Sequence, residues 1–173
     1  VWASVGPLSL GLRLDDLGDG EIAALYRRRV LALTEADALL LETFTEPREA
    51  RAALAAAAAS GLPVIFQIGN TGGGPRQGDR LDALIEIGLK GGAAAIGVNC
   101  RHPGEIAKAA ARIAARTDLP LTASPNAGQP RIDRGRVVYD FPPGGMASAG
   151  IELAALGAAV VGGCCGTTPD HIR

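Results

Sequence analysis

Aromatic side chains are scarce, 3% of 173 residues, so whatever core the chain builds is made of small and aliphatic groups packed closely. An excess of one charge is missing as well. Seventeen basic residues against eighteen acidic ones give a formal net charge of -1, which leaves no field to gather nucleic acid or an anionic membrane surface. No apolar run approaches the roughly 18 residues of a spanning helix, because Arg, Lys, Asp or Glu interrupts each one. Neither nucleic acid nor a membrane is therefore expected as a partner. Cysteine is limited to three, an odd count that includes the neighbours Cys164 and Cys165, and a disulfide scaffold is not expected from it. No basic stretch followed by an apolar run opens the chain, which sets the expectation of a cytoplasmic location with reduced thiols. Val1 stands where a Met would, and residues 169–173 read as a helix just begun; a fragment is the expectation.

Glycine, by contrast, is abundant at 24 residues, about twice the usual share, and it accompanies alanine-rich runs. With 47% hydrophobic and 20% charged residues, there is enough apolar material for one sizeable core. Short apolar runs at 1–5, 38–41, 64–67, 95–98, 121–123 and 158–161 read as parallel strands covered on both faces. Between them, 20–34, 46–60, 79–90, 103–116 and 146–156 carry helical patterning, with Pro47 and Pro103 at first-turn positions and Gly61, Gly91 and Gly157 at the stops. Residues 125–145, rich in Gly, Pro and Arg, read as one long irregular loop. This alternation leaves two architectures, an open doubly wound sheet or a closed (β/α)8 barrel. The strand count suits the sheet. The lack of Gly-x-Gly-x-x-Gly after the first strand, and the gathering of polar and cysteine residues just after several strands, suit the barrel. The pattern leaves both open.

All three thiols follow strands. Cys100 comes after the 95–98 run with Asn99 between, and Cys164-Cys165 after the 158–161 run with Gly162-Gly163 between. Thiolates from two neighbouring loops suit one soft tetrahedral cation, zinc by default, with three protein ligands leaving a fourth position open as catalytic sites do. Such a site favours a substrate thiol in its deprotonated, nucleophilic form. Two other readings stand beside it. A cysteine such as Cys100, taken alone, is often a small buried hydrophobe. The loop from Gly162 to Gly166, ahead of the helix start Thr167-Thr168-Pro169, has the make-up of a phosphate cradle, which would make this a phosphate-binding α/β barrel enzyme. Spacing leaves zinc and phosphate both open; the adjacent thiols favour zinc. His102 and His171 adjoin helix starts and read as capping or surface residues.

Gly97-Val98-Asn99-Cys100, then Ser124-Pro125-Asn126-Ala127-Gly128, then Gly162-Gly163-Cys164-Cys165-Gly166-Thr167-Thr168-Pro169-Asp170-His171-Ile172, in this order, resemble the homocysteine S-methyltransferase family. That family includes the homocysteine-binding module of cobalamin-dependent methionine synthase. Ala3-Ser4-Val5-Gly6-Pro7 and Leu39-Leu40-Leu41-Glu42-Thr43 extend the resemblance over essentially the whole chain. It implies an α/β fold, a (β/α)8 TIM-type barrel truncated here to about six β/α units. Residues 1–173 would then be a partial homocysteine-binding barrel domain that lacks the family's first two units and the end of the last helix. The resemblance further implies zinc held by Cys100, Cys164 and Cys165, and methyl transfer to the zinc-bound thiolate of homocysteine, giving methionine. Glu42 matches the carboxylate that holds the substrate ammonium. Asn126 is the candidate neutral oxygen near the metal, and Ser4 and Asn99 are expected to line the site. The methyl donor implied is S-adenosylmethionine, S-methylmethionine, a betaine, or methylcobalamin on another module. The Asp-Gly pair that the family carries on its first strand has no counterpart here, and a non-catalytic truncated remnant is the remaining alternative.

Overall fold

All six apolar runs form strands in the computed structural model, which describes residues 1–69 and 77–173. The chain divides inside the fourth of these strands into two units, Val1–Ile96 and Gly97–Arg173.

In the first unit, β1 (Trp2–Val5), β2 (Ala38–Phe44) and β3 (Val64–Ile68) alternate with helices α1 (Asp19–Leu31), α2 (Pro47–Ala58) and α3 (Gln77–Lys90), and β4 (Ala95–Asn99) begins. The strand order is β1-β2-β3-β4. β1 runs parallel to β2 from Trp2↔Ala38 to Val5↔Leu41, and β2 runs parallel to β3 from Leu39↔Val64. Parallel neighbours need a crossover, and the helices supply it. Ile22, Tyr26 and Val30 make the buried stripe of α1; Ala50, Ala53, Leu54 and Ala57 belong to that of α2. Few as the aromatics are, three sit at the centre: Tyr26, Phe44 and Phe66 are fully buried, with successive ring centroids 5.9 and 5.8 Å apart. The end of β2 carries an irregularity. Its register against β3 shifts between Leu41 and Phe44, Thr43 takes a φ of 67°, and Glu42 lies in that stretch, the kind of bulge that re-aims a side chain.

Glu49, on α2, is wholly buried. Its carboxylate accepts from the Leu8 amide, from the Ser9 amide and hydroxyl at 3.1 and 2.7 Å, and from the Tyr26 hydroxyl at 2.7 Å. The segment after β1 is thereby fastened to α2 around one carboxylate. Burial first, and then that carboxylate, push the Tyr26 phenol well above its ordinary value. Glu49→Leu would leave these donors facing a hydrocarbon side chain. A loss of about 3 kcal/mol or more is expected, read as a lower urea midpoint with an unchanged slope.

The second unit continues β4 and adds α4 (Pro103–Ala114), β5 (Leu121–Ser124), β6 (Arg131–Asp133), β7 (Arg136–Val138), α5 (Pro143–Ala155), β8 (Ala158–Val161) and α6 (Pro169–Ile172). Its strand order is β4-β5-β8, with β5 and β8 parallel. Ile106, Ala110 and Ile113 line the buried face of α4. Gly97 in β4 lies so close to β5 that a Cβ there would stand 1.8 Å from the Thr122 carbonyl oxygen. The α/β class and the six strands in chain order agree with the repeating pattern. β1 and β8 each have one neighbouring strand, so no eight-stranded closure forms among the described residues.

Residues 125–145 differ from the irregular loop expected. β6 and β7 form an antiparallel hairpin through Arg134-Gly135, with φ of 48° and 77°, and α5 already begins at Pro143, ahead of Met146. The hairpin strands are short and exposed, which removes the apolar alternation a strand is recognised by. Pro-Pro-Gly-Gly looks like a breaker, yet Pro143 takes a first-turn position that proline suits. Among the described residues, no helix is long and apolar enough to cross a membrane.

Candidate metal centre

β4 ends at Asn99 and the chain turns at Cys100, whose φ of 60° lies in the left-handed region that residues with a side chain avoid. Main-chain bonds hold this turn. The Cys100 amide donates to the Ser124 carbonyl at 3.2 Å, and the Asn126 amide to the Arg101 carbonyl at 2.8 Å. From the other side, the Cys164 amide donates to the Pro125 carbonyl at 2.8 Å, and the Ala127 amide to the Cys165 carbonyl at 2.9 Å. The segments after β4, β5 and β8 are thus laced together, and their thiols meet. Cys100 Sγ lies 3.6 Å from Cys165 Sγ, Cys165 Sγ lies 3.9 Å from Cys164 Sγ, and all three are within 4.8 Å of one another. Among the described residues, this is the one group of three or more His, Cys, Asp or Glu side chains so placed. A tetrahedral cation with bonds of about 2.3 Å to sulfur sets its sulfurs about 3.8 Å apart. The donor set fits such an ion.

All three thiols are free and half-buried. Hydrogen bonding from Cys164 holds Cys100 below the ordinary thiol value against the opposing effect of burial, and Asn126 pulls the same way. The same bond first, and burial second, push Cys164 up. Cys100 is therefore the readier thiolate of the two.

The other residues singled out from the sequence fall into place around this cluster or in the first unit. Asn126 is buried; its Oδ1 accepts the Cys165 amide at 3.1 Å and its main-chain amide donates to the Arg101 carbonyl next to Cys100, so it bridges both sulfur-bearing segments. Asn99, also buried, directs Nδ2 to Cys164 Sγ at 4.0 Å. Ser4 and Glu42 belong to the first unit, where the Ser4 hydroxyl donates to the Glu42 carboxylate. His102 caps α4, its Nδ1 accepting from the Gly104 amide at 3.3 Å, with its ring edge-on to Phe141. His171 bonds Thr168 through Nδ1 and meets the Phe141 carbonyl through Nε2 at 2.8 Å. Both histidines are capping residues, as expected.

Three amides of the glycine loop are engaged. Gly162 donates to the Ala123 carbonyl, Cys164 to Pro125 and Cys165 to Asn126, while the Thr167 amide and hydroxyl both bond the Cys164 carbonyl. A phosphate cradle needs such donors turned toward the anion.

One contributor escapes sequence reasoning. Tyr139 follows β7, and its ring lies against Gly166, whose φ is 76° and where a Cβ would stand 2.2 Å from Tyr139 Cγ. Burial first, and then the Cys165 thiol, raise its phenol above the ordinary value. No spacing links positions 139 and 165, and only the hairpin reversal delivers the ring there.

Residues 1–173 match the homocysteine S-methyltransferase family. The chain is 31% identical to a methionine synthase of Mycobacterium leprae (strain TN), an alignment covering 100% of this chain and 15% of that protein. It is 26% identical to homocysteine S-methyltransferase 1 of Brassica oleracea var. italica, covering 92% of this chain and 52% of that one. In fold it resembles the crystal structure of the homocysteine methyltransferase MmuM from Escherichia coli, apo form, with a TM-score of 0.73 and 26% identity over 98% of this chain and 59% of that one. The metallated form of MmuM gives a TM-score of 0.74 at 24% identity, over 97% of this chain and 57% of that one. The chain thus spans 15% of the bacterial methionine synthase and about half of the plant enzyme. With its whole length matched, the chain belongs to the homocysteine S-methyltransferase family.

Proposed function

We propose that this chain carries the homocysteine-activating part of a zinc-dependent methyl transfer that yields methionine. The observation that carries the reading is the meeting of Cys100, Cys164 and Cys165 at the separations a tetrahedral ion requires. Those three sulfurs would hold zinc, which when bound keeps a substrate thiol deprotonated at neutral pH. Asn126 keeps one lone pair of Oδ1 beyond its bond to Cys165, enough to occupy the fourth position until substrate arrives. Asn99 lines the site through its contact with Cys164. Glu42, oriented by Ser4, supplies the carboxylate for the substrate ammonium. In the reaction the homocysteine sulfur attacks the methyl carbon in line. A carbon–sulfur bond forms as the methyl–donor bond breaks, and the electron pair of that bond leaves with the donor. S-adenosylmethionine, S-methylmethionine, a betaine and methylcobalamin on another module all satisfy this balance. Reduced thiols in the cluster fit a reducing compartment such as the cytoplasm.

The amides of Gly162, Cys164 and Cys165, already bonded within the protein, count against the phosphate alternative. X-ray absorption at the zinc edge tests the reading. Added homocysteine is expected to convert a site of three sulfurs and one lighter atom to one of four sulfurs. A zinc spectrum that homocysteine leaves unchanged would reduce the chain to a metal-binding remnant.

A further inference from the structure

We propose that Thr43 is a positioning residue for Glu42. Its left-handed backbone, seated on Gly69, turns the Phe44 ring into the helix layer and leaves the Glu42 carboxylate on the opposite face beside Ser4, where it can hold an ammonium group. The inference rests on the reading of Glu42 proposed above and adds to it how that carboxylate is aimed. Side chains alternate along a strand, so Ala38, Leu40 and Glu42 share one face of β2. The contacts mark that face. Leu40 packs with Ala38, Ile65 and Ala95, Ser4 is the register partner of Leu40, and the Ser4 hydroxyl donates to Glu42. A regular strand would put Phe44 there as well, two residues on, with its ring beside the carboxylate.

One extra residue in β2 prevents this. Leu41 pairs with Phe66 and Phe44 with Ile68, three steps on β2 against two on β3, so Phe44 joins Leu41 on the other face. There its ring is wholly buried and packs between Tyr26 and Phe66. Thr43 makes the bulge with a φ of 67°, a conformation that a β-branched residue adopts only under constraint. Gly69 supplies part of that constraint. Its amide donates to the Phe44 carbonyl at 2.9 Å, and a Cβ there would stand 2.8 Å from the Thr43 carbonyl oxygen and 3.0 Å from Thr43 Cα. Those atoms are backbone and cannot swing aside. A side chain at position 69 would therefore displace the bulge and, with it, the direction of Glu42.

Calorimetry on the zinc-loaded chain with two thiols, homocysteine and its des-amino analogue γ-mercaptobutyrate, tests the inference. Both offer the same sulfur, so the ratio of their affinities isolates the hold on the ammonium group. Gly69→Ala is expected to lower the preference for homocysteine about tenfold with zinc stoichiometry unchanged. Thr43→Gly frees the bulge to change its aim and is expected to lower the preference severalfold; it introduces no clash and carries the test alone if Gly69→Ala fails to fold. A preference that either folded variant leaves intact overturns the role of the bulge. Glu42→Gln separates that failure from failure of the reading beneath it. It is expected to abolish the preference, and a preference that survives it, or none in the unsubstituted chain, overturns Glu42 as the carboxylate for the ammonium group.

Discussion

Cys100→Ala is expected to bring zinc from about one ion per chain to a trace after dialysis, with affinity reduced by more than about 100-fold. Loss of a supporting hydrogen bond alone costs 10–100-fold at metal sites, so loss of a ligand must exceed it. The substitution also tests the strain at this position. Cys100 holds a φ of 60°, which a second variant, Cys100→Gly, accommodates without steric cost. Both variants are expected to lose the metal, and Cys100→Gly to retain the thermal stability of the metal-free chain. Mass spectrometry of bound metal alongside thermal unfolding separates the two effects. Zinc retained at full stoichiometry in Cys100→Ala would refute the cluster as a binding site, since Cys164 and Cys165 alone supply only two sulfurs. A phosphate site in the glycine loop would be indifferent to either change.

Gly97→Ala is expected to lower the unfolding midpoint by about 10 °C, equivalent to roughly 3 kcal/mol or more for a chain of this size. The added carbon would lie 1.8 Å from the Thr122 carbonyl oxygen and 2.2 Å from its hydroxyl. A flexible side chain could swing away, but the carbonyl belongs to β5, so β4 and β5 must part to admit a single methyl group. Asn99 and Cys100 follow on the same strand end, and metal affinity should drop with stability. Gly144→Ala is the matched control. It lies exposed in the first turn of α5 with nothing within 4 Å of the added carbon, and alanine is the better helix former. A midpoint for Gly97→Ala within about 2 °C of the unsubstituted chain would show that the two strands do not approach this closely.

The strands are legible in the sequence for a physical reason: a parallel strand covered on both faces is written as an unbroken apolar run. Val64–Ile68 is the plainest case, with every residue buried. The cysteines are legible because all three stand just past strand ends, where a parallel sheet gathers its functional groups. The partners of those sulfurs are not legible. Asn126 reads as an oxygen near a metal, whereas its bonds to the Cys165 amide and the Arg101 carbonyl depend on segments far away in sequence. Tyr139 leaves no trace, because the exposed hairpin before it has no buried face to impose a period on the sequence. Glu49 is hidden in the opposite way. A glutamate in the first turn of an alanine-rich helix looks like a solvated charge, and only the fold reveals the ring of donors that keeps it inside.

The four amide bonds that lace Cys100 to Ser124, Asn126 to Arg101, Cys164 to Pro125 and Ala127 to Cys165 are made by protein groups alone. Ligation at the proposed site would therefore demand little further sacrifice of chain entropy, unlike the small zinc fingers in which coordination and folding are one event. A cation held by the three sulfurs would be a late guest in a finished room, and its exchange would not have to wait on unfolding.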